Sequence, residues 1–145
     1  MAAEELKARL ERFAKEAWHQ WNLVVVDELM AADFVFYDSV SPIRGPEAFK
    51  HYVAGVRLAF PDLQFTVDDV IIEGNRAVAR WTFRGTHTGG SPSLGIAPTG
   101  KRVSFSGVSI YHMVGGKITE EWSTVDTLGI LQQLGVNPFA EPSDE

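Results

Sequence analysis

Val103 to Thr127 reads VSFSGVSIYHMVGGKITEEWSTVDT. Two runs of alternating residues flank Gly115-Gly116, and a glycine pair between such runs marks a two-residue β-hairpin. With those glycines at the turn, Val114 pairs with Lys117 and Met113 with Ile118. Continued at even register, the count sets Ser109 opposite Trp122 and Phe105 opposite Asp126. Directly opposed residues lie on one side of a sheet. Val103, Phe105, Ser109, Tyr111, Met113, Ile118, Trp122 and Asp126 are therefore expected to share a face that is apolar and aromatic, with a carboxylate in it. Val108, Ile110 and Val125, with Thr119 and Ser123, fall on the other face. That face is semi-apolar and suits a homodimer.

The same period of two extends upstream. Leu63, Phe65, Val67, Asp69 and Ile71 share a side. After a turn at Glu73-Gly74-Asn75, Ala77, Ala79, Trp81 and Phe83 oppose Arg80, Thr82 and Arg84. Phe34 to Asp38 reads as a further strand. Helices come first: Leu6, Leu10, Phe13, Ala14, Ala17, Trp18 and Trp21 recur at three- and four-residue steps from Glu4. A short helix covers Val24 to Met30. Gly45-Pro46 opens another, with proline at the first helical position, and Phe60-Pro61-Asp62 stops it. A last helix, Leu128 to Leu134, ends at Gly135. Helices, then one curved antiparallel sheet, then a small closing helix define an α+β class. Residues 1–137 form a single domain, and residues 138–145 (PFAEPSDE) are a short acidic tail.

Composition narrows the function. The 145 residues carry 13 basic and 19 acidic side chains, a net charge of −6, with no basic cluster beyond Lys101-Arg102. Nucleic acid and anionic membrane are poor partners for such a surface. No aliphatic run approaches the ~20 residues of a membrane span. The opening MAAEELKARLERF carries charge where a signal peptide needs apolar residues, so a cytoplasmic location is expected. The absence of cysteine removes thiolate chemistry and cysteine-based zinc sites, and four histidines with no close pair make no metal site. The aromatic content, 11% with four tryptophans, fills a core, lines a pocket, or does both.

A set of landmarks runs through the second half in order. They are Phe60-Pro61-Asp62, Arg84-Gly85-Thr86-His87-Thr88-Gly89, Pro98-Thr99-Gly100, Gly116-Lys117-Ile118, Glu120-x-Trp122 with Asp126, and Gln133-Leu134-Gly135. On these, from about Trp18 to Gly135, the chain resembles the SnoaL-like ester cyclase (polyketide cyclase) family. That family belongs to the superfamily related to nuclear transport factor 2 and ketosteroid isomerase. The resemblance implies an NTF2-like cone, in which helices cover a strongly bent sheet around a deep apolar pocket. It also implies ring closure of a polyketide methyl ester by intramolecular aldol chemistry, without metal or cofactor. An aspartate late in the sheet, here matching Asp126, would be the acid/base.

The residues allow this chemistry. A carboxyl walled by aromatics holds its proton more tightly, because desolvation disfavours the anion. Such an acid can take a proton next to a carbonyl and return it. Asp126 also stands just before a helix, where aspartate is a good N-cap. His87 is the second candidate: it polarises a substrate carbonyl, orients Asp126, or holds the Thr86–Thr88 turn. Trp122, Trp81, Phe105, Tyr111, Phe83 and Phe36 are the expected walls. Asp38 shares a face with Phe34 and Phe36 and is a possible second acid, or part of a strand-end turn. His112 falls on the outer face, about 23 Å along the strand from the partner of Asp126, which suits a surface better than catalysis.

Gly95-x4-Gly100-Lys101 imitates a phosphate-binding loop, but Arg102 and a strand follow instead of Ser or Thr and a helix. The loop reads better as a lid or rim, with Leu94 and Ile96 as apolar contacts. The expected partner is a small apolar molecule. The rival readings are an isomerase, dehydratase or epoxide hydrolase in the same cone, or a non-catalytic ligand-binding or dimerisation module.

Overall fold

The apolar stripe of the first segment forms α1 (Ala3–Ala14), which runs on as a π-helical turn over Lys15–His19. The computed structural model describes residues 1–37, 41–90, 95–137 and 139. α2 (Val24–Leu29) leads into β1 (Met30–Tyr37), and a two-residue strand, β2 (Ile43–Arg44), precedes α3 (Pro46–Ala59). Then come β3 (Gln64–Glu73), β4 (Arg76–Thr86), β5 (Arg102–Val114), β6 (Lys117–Val125) and α4 (Thr127–Gln133). The six strands make one curved, unclosed sheet in the order β2-β1-β6-β5-β4-β3. All neighbours are antiparallel except β1 and β6, which run parallel. The strand-only reading missed β2 and this parallel pairing, because both depend on long-range contacts that local alternation does not encode.

The helices cover one face of the sheet, and the core divides into two continuous parts. One joins Leu10, Phe13, Val25, Phe34, Phe49 and Val53 to the inner ends of β4–β6. Phe49 is its hub, in ring contact with Phe13, Trp18, Phe34, Phe36 and Tyr52. The other gathers Phe60, Phe65, Trp81, Phe83, Val103 and Leu134. Trp18 packs against both, so its place in the core follows from the helix periodicity.

Two β-bulges break the alternation, and each reverses the faces beyond it. In β3, Val67 pairs with Trp81 but Asp69 pairs with Arg80, which leaves Asp68 as the extra residue. Val70 and Ile72 then turn inward, while Asp69 and Ile71 are exposed, the reverse of the straight pattern. In β6, Met113 faces Ile118 as the hairpin requires, but His112 faces Glu120. Thr119 is the extra residue, and its hydroxyl donates to the His112 carbonyl at 3.0 Å.

Candidate active site

The Thr119 bulge decides what lines the inside of β6. Beyond it Glu121 lies opposite Tyr111, and Ser123 opposite Ser109. On its other side Glu121 pairs with Phe36 of β1. The glutamate is 4% exposed. Its Oε2 accepts a hydrogen bond from the Ser123 hydroxyl at 3.0 Å. Ser123 Oγ lies 2.6 Å from Ser109 Oγ, which accepts the Trp81 indole N–H at 3.0 Å. The indole lies against Gly107, where any Cβ would overlap its ring. Glu121 Oε1 has no hydrogen-bond partner among the described residues.

This environment sets the acidity. Burial is the leading cause and raises the Glu121 carboxyl from 4.5 to about 7. The Ser123 hydroxyl, bonded to Oε2, and the nearby hydroxyls of Ser109 and Tyr111 pull the other way by favouring the anion. The Tyr111 phenol is pushed well above its usual value, first by burial and then by the Glu121 charge, and so stays protonated. A carboxyl poised near neutrality can both accept and return a proton in one cycle.

A second buried polar group sits at the far end of β4, where three of the sequence landmarks meet. Phe60 packs on Phe83 and on the His87 ring, at centroid distances of 5.1 and 5.4 Å. Asp62 takes hydrogen bonds from both the Thr86 backbone N–H and its hydroxyl, at 2.7 and 2.6 Å. The Ala59 carbonyl accepts from the Thr88 and Gly89 amides. A side chain at Gly89 would run into the Leu58 carbonyl, and one at Gly85 would press on Phe60. Pro98-Thr99-Gly100 closes the joint: His87 N–H donates to the Lys101 carbonyl, and Gly100 N–H to the His87 carbonyl. The Thr99 amide donates to His87 Nδ1 at 3.2 Å, so Nδ1 is an acceptor and the ring hydrogen sits on Nε2. His87 is fully buried, and its Nε2 has no partner among the described residues.

The other expected site residues divide by face. Tyr111, Trp81, Phe83 and Phe36 are buried on the inner side, with Phe105 partly buried and stacked on Phe83 at 4.6 Å. Trp122 is a correction: the bulge turns it to the outer face, where it stacks on Tyr37 at 5.3 Å beneath the Arg76 guanidinium. Ser123 and Val125 move inward by the same reversal. Asp126 is a second correction of placement. β6 ends at Val125, so Asp126 does not face Phe105. It is exposed and caps α4, accepting the Gly129 amide at 2.9 Å. A Cβ at Gly129 would collide with that carboxylate, which explains the glycine. His112 lies on the outer face, bonded to Asn75 and Glu120. Gln133 pairs its amide with the Ser104 backbone, covering the edge that β6 leaves open. Asp38, Leu94 and the tail from Pro138, except Phe139, lie outside the described residues.

Helices over one face of a curved, unclosed, mostly antiparallel sheet define an α+β protein of the NTF2-like fold class. The family is narrower. Residues 8–134 match the profile of the SnoaL-like polyketide cyclases, and the chain belongs to that family. It is 32% identical over 119 residues to the aklanonic acid methyl ester cyclase AcmA of Streptomyces galilaeus, covering 76% of this chain and 80% of that protein. It is 35% identical over 103 residues to the nogalonic acid methyl ester cyclase of Streptomyces nogalater, covering 70% and 72%. Among solved structures, TsrD from Streptomyces laurentii superposes with a TM-score of 0.84 at 27% identity, over 94% of this chain and 99% of that one.

Proposed function

We propose that this chain is a cofactor-independent ester cyclase that closes a ring in a small, largely apolar, polyketide-like methyl ester, with Glu121 as its acid/base. The observation that carries the reading is a buried carboxyl, poised near pH 7, with one oxygen left without a hydrogen-bond partner among the described residues. The Glu121 carboxylate removes a proton from the carbon between two carbonyls of the substrate, leaving an enolate. The enolate carbon attacks a ketone in the same molecule, forming the new C–C bond. The resulting alkoxide takes the proton back from Glu121, so the reaction is a net isomerisation. The His87 Nε2–H is a donor for a substrate oxygen. Asp126 serves as a helix cap in this scheme.

The test is turnover of aklanonic acid and nogalonic acid methyl esters, followed by chromatography of the cyclised product. Wild type is expected to close one of them, and Glu121→Gln to lose roughly 10²–10⁴-fold in kcat. Full turnover by Glu121→Gln refutes the assignment. The hydroxyls around Glu121 also suit a held water, which favours epoxide hydrolysis as the second reading. Turnover in ¹⁸O-water separates the two: cyclisation leaves the product without solvent oxygen at the new bond, and hydrolysis inserts it.

A further inference from the structure

We infer that the outer face of the sheet is an interface for a second copy of this chain, with the two-fold axis running along β5. The helices lie on the inner face, and the outer one carries an unbroken apolar row across five of the six strands. In register, Ile71 stands opposite Val78, Val78 opposite Ile110, Ile110 opposite Trp122, and Trp122 opposite Tyr37. Ile71 and Ile110 are exposed, as is Val108 beside them. The Thr119 bulge completes the row, because it sets Trp122 rather than Ser123 on the outer side. An apolar centre with charge at its margin is the make-up of a protein–protein interface, where tryptophan, tyrosine and arginine are over-represented. Five strands about 4.8 Å apart, with five outward positions along β4 about 6.7 Å apart, offer up to roughly 800 Å², the share one partner brings to a stable complex.

The charges select the occupant and the axis. In the next row Arg76 of β4 and Glu120 of β6 flank His112 of β5. Arg76 has no ion pair among the described residues and lies over the Trp122 ring. Glu120 holds His112 Nδ1 through Oε1, which leaves Oε2 for a further cation. On the other side of the apolar row, Arg80 already pairs with Asp68 at 3.7 Å. When two copies of a sheet pack face to face, the two-fold lies in the plane between them. An axis along β5 keeps each row in place and exchanges β4 with the partner's β6. Arg76 then meets the partner's Glu120, and Glu120 the partner's Arg76, so the ion pair forms twice. Val78 meets the partner's Trp122, Ile71 the partner's Tyr37, and Ile110 the partner's Ile110. The strands of the two copies run nearly aligned, as in sandwich packing. An axis along the apolar row would instead keep each strand in place and exchange the rows. It would set Arg76 on the partner's Arg80, where like charges repel.

Sedimentation equilibrium at micromolar concentrations tests this. Wild type is expected at twice the chain mass. Arg76→Glu places two like-charged contacts in the interface, and Glu120→Arg does the same with the opposite sign. Each alone is expected to raise the dimer Kd at least about 100-fold. Mixed, the two variants are expected to form a dimer holding one of each, because both cross-contacts are then of opposite charge. Native mass spectrometry with one variant ¹⁵N-labelled identifies that species. Both substitutions in one chain are expected to restore the homodimer. Ile110→Lys sets two ammonium groups on the axis and is expected to give monomer with the charge pairs untouched. Circular dichroism melts report that each variant is folded.

A monomeric wild type overturns the inference and leaves the face to a different partner. So does a dimer that folded Ile110→Lys does not dissociate, since another surface then holds it. If the two charge variants are folded monomers that stay apart when mixed, the axis along β5 is wrong.

Discussion

Replacing Glu121 by glutamine is expected to stabilise the protein in a pH-dependent way. The amide oxygen can take the Ser123 hydrogen bond, and the NH₂ occupies the unpartnered position, so the change removes charge and little else. In the unfolded chain the glutamate ionises near 4.5, whereas in the fold it ionises near 7. Between those values the folded state binds the extra proton, so stability falls as pH rises through the window and levels off above 7. At about 1.4 kcal/mol per tenfold, holding the charged form inside costs about 3 kcal/mol above pH 7, and nothing below 4.5. Glutamine carries no such cost. Thermal melts of both proteins from pH 4.5 to 8.5 are expected to coincide at the acid end and diverge with pH. For a domain near this size the gap reaches roughly 6–12 °C in Tm. Titrations common to both proteins cancel in the difference. A gap that stays constant with pH, or widens toward acid, would refute the account of a carboxyl ionising against desolvation.

Other perturbations separate structure from chemistry. Asp126→Ala is expected to lower stability by about 1 kcal/mol through loss of the α4 cap while leaving ester turnover intact, measured by denaturant titration beside the cyclisation assay. Gly107→Ala forces a methyl into the Trp81 ring and is expected to cost roughly 1–3 kcal/mol, with altered near-ultraviolet circular dichroism as the indole moves. Phe49→Ala empties the hub of the helix-side core and is expected to cost about 3–5 kcal/mol by chemical denaturation. Hydrogen bonds from Thr86 hold the Asp62 carboxyl below its usual range. Asp62→Asn should therefore lower Tm at neutral pH, and the difference from wild type should fade as pH drops through the acid range, where Asp62 is protonated in both states.

Most of the fold was legible because its signals are local. Helical spacing placed α1 and α3, Gly45-Pro46 placed the start of α3, and Gly115-Gly116 fixed the last hairpin. The site was less so, because one extra residue in β6 reverses a face and alternation carries no mark of it. Read straight, β6 sets Trp122 among the aromatics, which looks right by hydrophobicity and is wrong by one residue. A signal was nonetheless present. Straight register puts Glu120 opposite Tyr111, and the bulged register puts Glu121 there. Either way the inner wall must bury a glutamate beside a tyrosine. Trp81, Ser109 and Tyr111 all bring polar tips to that face, and buried indole N–H and phenol groups need partners. The landmarks behind the family resemblance proved informative for a different reason. Phe60, Asp62, Gly85, Gly89, Asp126 and Gln133 hold joints, caps and edges together, so they report the scaffold more than the reaction.

The extra residue at Thr119 gives the chain two latent linings on one ladder. With the bulge, the interior receives Glu121, Ser123 and Val125. With Thr119 drawn into the ladder opposite His112, the same strand would present Glu120, Trp122 and Thr124. Neighbouring glutamates keep a carboxyl inside under both settings, while the next inward residue changes from the small, polar Ser123 to the large, aromatic Trp122. Whether that single residue stands in or out of the ladder thus exchanges the wall past the acid, a coarse adjustment of cavity shape that keeps one carboxyl or the other inside.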